Sequence, residues 1–411
     1  MQPATDVRIA RRGWVKPSAA AAVVLACTTL VLAGCTAPGP DPLVPPRGQA
    51  LPGHYGGDDP GSLVSAESLV DVDHALEVRT SLAARITYMS TSAKDAHVQV
   101  TGTVFVPKGD PPAGGWKTVA LGHPATGIQP ECAPSHSPTL LGLLPTVLAL
   151  INAGYLVTVS DYQGLGLRDT DHPFLDSTTE GRNLIDSVRA ARNLVPAVSD
   201  TFAVWGEGQG GQAAWAANEL VFDYNGQTRM VGAVAQAPTA ALDWLADAAA
   251  AGTLTRDQQL MLQQYLASLK RDYDDFNLDA YRHGVVKDNW DVLSACWGDA
   301  VRDRARVVGQ IGPDDLRPDS ADATEALRGY LQKTSLPQAP AESPMLVVPD
   351  GGGGLIPWAQ TAAALARACV MGDVIQVGAP QGENVVSWIN DRFNAVPPRN
   401  DCGTLVAPTP P

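Results

Sequence analysis

The chain has 411 residues, enough to bury a large core in one or two domains. Hydrophobic residues make up 45% and charged residues 18%, a globular and rather apolar composition. A formal net charge of -14 repels phosphate backbones and argues against a nucleic-acid partner, and the absence of like-charge runs and internal repeats argues against a charged tail or a solenoid.

In chain order, Arg8, Arg11, Arg12 and Lys16 form a basic start, and an apolar run from Ala19 to Ala33 follows. The run is short for a membrane span and reads as the apolar part of a signal peptide covering residues 1–34. It ends Leu32-Ala33-Gly34-Cys35, which resembles the lipobox of bacterial lipoproteins, whose cysteine takes the lipid and becomes the mature N-terminus. That resemblance implies an exported cell-envelope lipoprotein, held on the membrane through Cys35. Residues 35–66 are rich in Pro and Gly and poor in apolar periodicity, so a flexible tether is expected behind the lipidated cysteine.

Beyond the tether, apolar and β-branched runs predict strands at Ala84–Met89, Val98–Val106, Trp116–Leu121 and Tyr155–Ser160. Helical spacing predicts helices over Leu140–Ala153 and Glu180–Leu194. A strand Thr201–Trp205, a helix Gln212–Val221 and a strand Met230–Ala235 follow. The last part reads as strand Pro344–Val348, helix Gln360–Cys369, strand Val374–Val377 and helix Val385–Phe393. Strands alternating with helices define an α/β class with a mostly parallel sheet covered on both faces. The stretch 242–334 is helical and polar and breaks this rhythm, so it is expected to be a cap over a core made of residues 67–241 and 335–411. Cys27 leaves with the signal and Cys35 carries lipid. Cys132, Cys296, Cys369 and Cys402 remain, an even count that predicts two disulfides with three pairings open.

Several segments, in this order and spacing, resemble the secretory lipase family. They are Gly122-His123-Pro124-Ala125-Thr126-Gly127 with Cys132-Ala133-Pro134-Ser135, and Gly154-Tyr155-Leu156-Val157 with Asp161-Tyr162-Gln163-Gly164-Leu165-Gly166. Asp186-Ser187-Val188-Arg189-Ala190-Ala191-Arg192 and Trp205-Gly206-Glu207-Gly208-Gln209-Gly210-Gly211 complete the set. The resemblance covers about residues 84–395 and implies an α/β-hydrolase fold with a helical cap, acting on lipid or acyl-ester small molecules. It also implies the pairings Cys132–Cys296, tying the oxyanion loop to the cap, and Cys369–Cys402, closing the C-terminus. Backbone amides of Gln209, Thr126 and Gly127 are the implied oxyanion donors.

Hydrolases of this fold place a serine on a tight strand-to-helix turn, G-x-S-x-G, followed in the chain by an acid and a histidine. Here Gly206-Glu207-Gly208-Gln209-Gly210 has the spacing, with Gly208 in the place of the nucleophile and no oxygen to form an acyl-enzyme. Matching Leu355-Ile356-Pro357 to the family puts the acid at Gly353, and Pro380-Gln381-Gly382-Glu383-Asn384 puts the base at Gly382. The missing base needs no alignment. The seven histidines are His54, His74, His97, His123, His136, His172 and His283, so none follows residue 283. His123 is expected to shape the oxyanion loop, Asp350 to point away from the site, and His283 to lie on the surface of the cap. Glu207 and Glu383 flank vacant positions but offer no nucleophile. No H-x-x-x-H or paired-cysteine spacing appears, so neither metal nor cofactor is expected.

With glycine at about 7% of average usage, three independent losses all ending in glycine have odds of roughly one in a few thousand, so coordinated removal is expected rather than drift. Natural and deliberate inactivation both satisfy that pattern. The expected function is an inactive lipase or carboxylesterase scaffold. A lipid- or acyl-binding envelope lipoprotein is the alternative, and a hydrolase with an unconventional catalytic group is the second alternative.

Overall fold

The structure is a computed structural model describing residues 48–224, 228–352 and 354–405. The expected signal peptide, the lipidation site Cys35 and the acid position Gly353 lie outside the described residues. Nine strands form one sheet: β1 Leu63–Ser68, β2 Thr80–Thr91, β3 His97–Pro107, β4 Trp116–Gly122, β5 Leu156–Ser160, β6 Val198–Glu207, β7 Arg229–Gln236, β8 Met345–Val348 and β9 Ile375–Val377. Their order is β1-β2-β3-β5-β4-β6-β7-β8-β9. The pairs from β1 to β5 are antiparallel, and those from β5 through β4 to β9 are parallel.

Twelve α-helices are described: α1 His74–Glu77, α2 Leu144–Asn152, α3 Ser177–Leu194, α4 Gln209–Tyr224, α5 Trp244–Ala250, α6 Arg256–Asp272, α7 Gly284–Asp288, α8 Trp290–Leu293, α9 Ala300–Val308, α10 Ala321–Thr334, α11 Trp358–Met371 and α12 Val385–Phe393. Side chains alternate across each strand, so the sheet builds a core on both faces. Ala120, Phe202, Val204, Ala233, Ala235 and Val347 pack with α3, α4 and α11. Val119, Leu121, Ala203, Val234, Leu346 and Val348 pack with α2 and α12. This layering is the expected α/β architecture, and it places the C-terminal ends of β4, β6, β7, β8 and β9 along one edge.

Three expectations need correction. The tether read over residues 35–66 is built into the fold at its end: β1 pairs with β2, the Leu51 amide donates to Ala66, and the His54 amide donates to Asn193. The helix expected over 140–153 is split into a 3-10 turn Leu140–Gly142 and α2, with Leu140 and Leu141 at φ of 52° and 51°. The stretch 242–334 is helical as expected, but it is less polar on its inner side than it reads. Met261, Leu262, Leu266, Leu327 and Leu331 are buried in the same apolar cluster as the sheet. The glutamines of α6 are buried too. Gln258 closes a capping box with Thr255 and donates to the Leu355 carbonyl, and Gln263 donates to Trp290 and Ser294.

Candidate active site

β6 is buried through Phe202, Ala203 and Val204, and α4 begins at Gln209, directly after the turn at Gly208. So abrupt a change from strand to helix brings backbones into contact. A Cβ on Gly206 would lie 2.0 Å from the Gly210 oxygen, and one on Gly210 would lie 2.1 Å from the Gly122 oxygen. Both positions therefore require glycine. Gly208 differs. Its φ of +58° is left-handed, yet a Cβ there would meet only Pro124 Cβ, at 3.8 Å. The position has room for a side chain and is held from both sides. The Gly208 amide donates to Gln236 (2.9 Å), and its carbonyl accepts from Gln212 and Thr239 (3.1 Å each). The opening amides of α4 have no acceptor inside the helix and sit at its positive end.

The segment after β4 runs beside this elbow. His123 is buried, with its ring 4.3 Å from that of Tyr162. Nδ1 lies 2.7 Å from the Pro124 oxygen and Nε2 3.1 Å from the Asp161 oxygen. Burial lowers its pKa, and the ring is wedged in the loop between these two carbonyls. The Asp161 carboxylate receives the Thr101 hydroxyl (2.7 Å) and the Ser135 amide (2.8 Å), which accounts for the Asp161-Tyr162 motif structurally. Gly127, at φ +134°, lies under the Cys132–Cys296 disulfide, where a Cβ would come within 2.5 Å of Cys132 Sγ. The disulfide and a hydrogen bond from Arg271 to the Ile128 carbonyl (2.9 Å) fix this loop to the inserted helices. The Thr126 hydroxyl is buried without a partner among the described residues. Cys369 and Cys402 form the second disulfide, so both implied pairings are present.

Under the start of α4 lies a buried polar chain that sequence reasoning missed. Gln209 Nε2 donates to Glu180 Oε1 (2.6 Å) and to His172 Nε2 (3.1 Å), while His172 Nδ1 donates to the Gln163 carbonyl (2.8 Å). Burial drives His172 down to about 3 and raises Glu180 well above the usual carboxylate range. A neutral imidazole donating through Nδ1 and accepting at Nε2 satisfies both contacts. The signal for Glu180 was its helical register: it stands four residues before Leu184, on the buried stripe of α3. His172 sits in a loop, where no periodicity marks burial.

The loops after β8 and β9 meet beside this edge. A Cβ on Gly351 would be 3.5 Å from Pro380 Cβ. Asp350 accepts from the Gly352 amide at 3.1 Å, and its other oxygen covers Gly354, so its carboxylate turns into its own loop. Gly382 is exposed at φ +78°, with nothing within 4 Å of an added Cβ. Glu383 accepts from the Ala379 amide (2.9 Å), and Glu207 is exposed. Between the two loops is a cavity of about 540 Å³, walled by Ile356, Pro357, Trp358, Val377 and Pro380. His283 is partly exposed and lies 2.8 Å from the Arg317 carbonyl, within the inserted helices. The structure brings the Gly208 turn beside Pro124 and the end of β7. The end of β7 adjoins β8 through a hydrogen bond from the Ala237 amide to Val348 (2.8 Å).

A parallel sheet turning into a helix through a glycine-flanked elbow, with helices on both faces, defines the α/β-hydrolase class. The secretory lipase family model matches residues 142–401, and the chain belongs to that family. Candida antarctica lipase A in its closed state has a similar structure, with a TM-score of 0.68 and 16% identity over 89% of each chain. The rice cell wall degrading esterase of Xanthomonas oryzae is similar at a TM-score of 0.64 and 17% identity, over 82% of this chain and 97% of that one. No curated protein sequence matches the chain.

Proposed function

We propose that this chain is a lipase- or carboxylesterase-type scaffold that does not hydrolyse esters as written, with Gly208, Gly353 and Gly382 at the places of nucleophile, acid and base. The observation that carries the reading is Gly208, a left-handed glycine with open space around it at the tip of the elbow. A serine there would present its hydroxyl to an ester carbonyl beside the α4 amides. Glycine presents only hydrogen, so no acyl-enzyme forms. Water cannot readily take over, because no histidine follows residue 283 to act as base. The donors that would stabilise an oxyanion are the amides of Gln209, Thr126 and Gly127, and donors alone do not supply a nucleophile.

The unconventional-nucleophile reading is disfavoured by geometry: both His123 nitrogens lie against carbonyl oxygens, and Asp350 is engaged by its own loop. The apolar-walled cavity between the β8 and β9 loops favours retention of an acyl chain. The segment 242–334 acts as the cap in this account, and Cys35 anchors the exported protein to the membrane. One experiment tests the reading. The purified chain is treated with a fluorophosphonate probe, then offered a fluorescent fatty acid. We expect no labelling and saturable fatty-acid binding. Stoichiometric labelling overturns the inactivity, and absent binding overturns the retained acyl site.

A further inference from the structure

Helix α6 reaches three of the loops that surround the elbow, each time with a side chain that bonds loop backbone. Near its start, Gln258 Nε2 donates to the Leu355 carbonyl in the loop after β8 (2.9 Å). Near its end, the Ser268 hydroxyl donates to the His172 carbonyl and accepts from the Phe174 amide, at 2.9 Å each, in the loop after β5. His172 in turn receives the Gln209 side chain at the start of α4. Arg271 donates to the Ile128 carbonyl (2.9 Å), directly after Gly127, and lies 3.7 Å from the Asp171 carboxylate. Among the described residues, the other hydrogen bonds donated by α6 side chains stay within 242–334.

The helix is itself held at its start, middle and end. At about 1.5 Å per residue, the stretch 258–271 spans roughly 20 Å. Its start is closed by the Thr255–Gln258 capping box. Its middle is fixed by Leu262 and Leu266, both fully buried in the apolar cluster that includes the sheet. Its end is held by Lys94 of the β2–β3 turn, whose Nζ donates to the Asp272 carbonyl (3.0 Å). A loop carbonyl bonded to such a helix moves only if the bond breaks or the helix leaves the core. The Arg271 bond is charge-assisted and so the strongest of the set.

We infer that α6 is a strut that sets the spacing of these loops. Arg271 is then a positioning residue for the amides of Thr126 and Gly127, and Gln258 one for the loop after β8. Neither side chain touches a reacting group; each acts through the carbonyl it holds. The inference rests on the reading of these loops as the places of the oxyanion donors and the acid, while the holding of the loops is measurable without it. A misplacement of about 1 Å far from the chemistry can cost on the order of a hundredfold in rate, so one lost tie is enough to be read.

Three variants of the full chain carry the test. Arg271→Met keeps the apolar stem and removes the donors, and Arg271→Lys keeps one donor. Gln258→Glu keeps the acceptor that the Thr255 amide uses and loses the donor to Leu355. Hydrogen–deuterium exchange is read first, without any need for activity. Arg271→Met is expected to speed exchange roughly tenfold over residues 125–129 and to leave 351–356 unchanged, on the scale of one hydrogen bond to a charged group. Gln258→Glu is expected to do the reverse, and Arg271→Lys to keep most of the protection. Should Arg271→Met fail to fold, Gln258→Glu carries the test. Turnover is read second, in the Gly208→Ser/Gly353→Asp/Gly382→His background. There Arg271→Met is expected to lower kcat roughly tenfold at unchanged KM, with Arg271→Lys recovering most of it. A background without turnover sinks the reading of the loops and leaves the exchange result to decide the strut. Unchanged exchange in both loops, or faster exchange everywhere together with a lower melting temperature, overturns the proposal. So does a raised KM at unchanged kcat in an active background.

Discussion

In the elbow, Gly206 and Gly210 are held by backbone contacts, while Gly208 is held by conformation alone. Alanine at 206 or 210 drives a methyl into a carbonyl oxygen, an overlap that only a backbone shift relieves. Alanine at 208 meets open space and costs about 1 kcal/mol for its left-handed φ. Gly206→Ala and Gly210→Ala are therefore expected to lower the melting temperature far more than Gly208→Ala. Equal losses in thermal unfolding would show that the strand does not approach the helix this closely. The pattern was legible in sequence because spacing alone marks it: glycines two residues apart after an apolar strand. The chain Glu180–Gln209–His172 was not, because its members come from two helices and a loop, and only packing makes them neighbours.

Elements were legible where one face or both are buried without interruption. All five residues of β5 are buried, β4, β7 and β8 are largely so, and β6 is buried at its centre, as parallel strands are. β1 escaped notice because it buries fully only Leu63 and Ala66, within a stretch rich in Pro and Gly. α6 lies in a stretch that reads as polar, yet its Gln258, Gln259, Gln263 and Gln264 are buried. The disulfide pairing came from family resemblance, because the spacing leaves three pairings open. Its consequences are physical. Cys132–Cys296 closes 164 residues of sequence separation and Cys369–Cys402 closes 33. On the loop-closure model the longer one stabilises by about 1.4 kcal/mol more. The Cys132→Ser/Cys296→Ser pair is therefore expected to lower urea stability more than Cys369→Ser/Cys402→Ser. The reverse order would mean that strain or residual structure dominates.

Across the whole molecule, several carboxyl groups are buried by the packing of helices on the sheet. Burial raises Glu219 to about 7 and Asp186 to about 6. From about pH 4.5 to 7 the folded chain holds protons that the unfolded chain has released, so these groups lower stability as pH rises through that window. His172 opposes them: held neutral down to about 3, it costs stability as pH falls below the ordinary histidine range. Glu219→Gln keeps an oxygen for the Gln338 and Ala339 amides, so its stability should gain on the parent between about pH 5 and pH 8. A gap that does not change with pH would contradict a raised Glu219. The overall α/β architecture could be read from the alternation of elements. The merging of the inserted helices into the sheet's own core could not, because that depends on which sides of α6 and α10 meet the sheet. The proposed inactivity rests on the elbow and on the histidine count, and restoring the three side chains tests it most directly. The variant Gly208→Ser/Gly353→Asp/Gly382→His is assayed beside the parent for release of 4-nitrophenol from a medium-chain ester. The account predicts turnover by the folded triple variant and none by the parent. Turnover by the parent, or none by a well-folded triple variant, would contradict it.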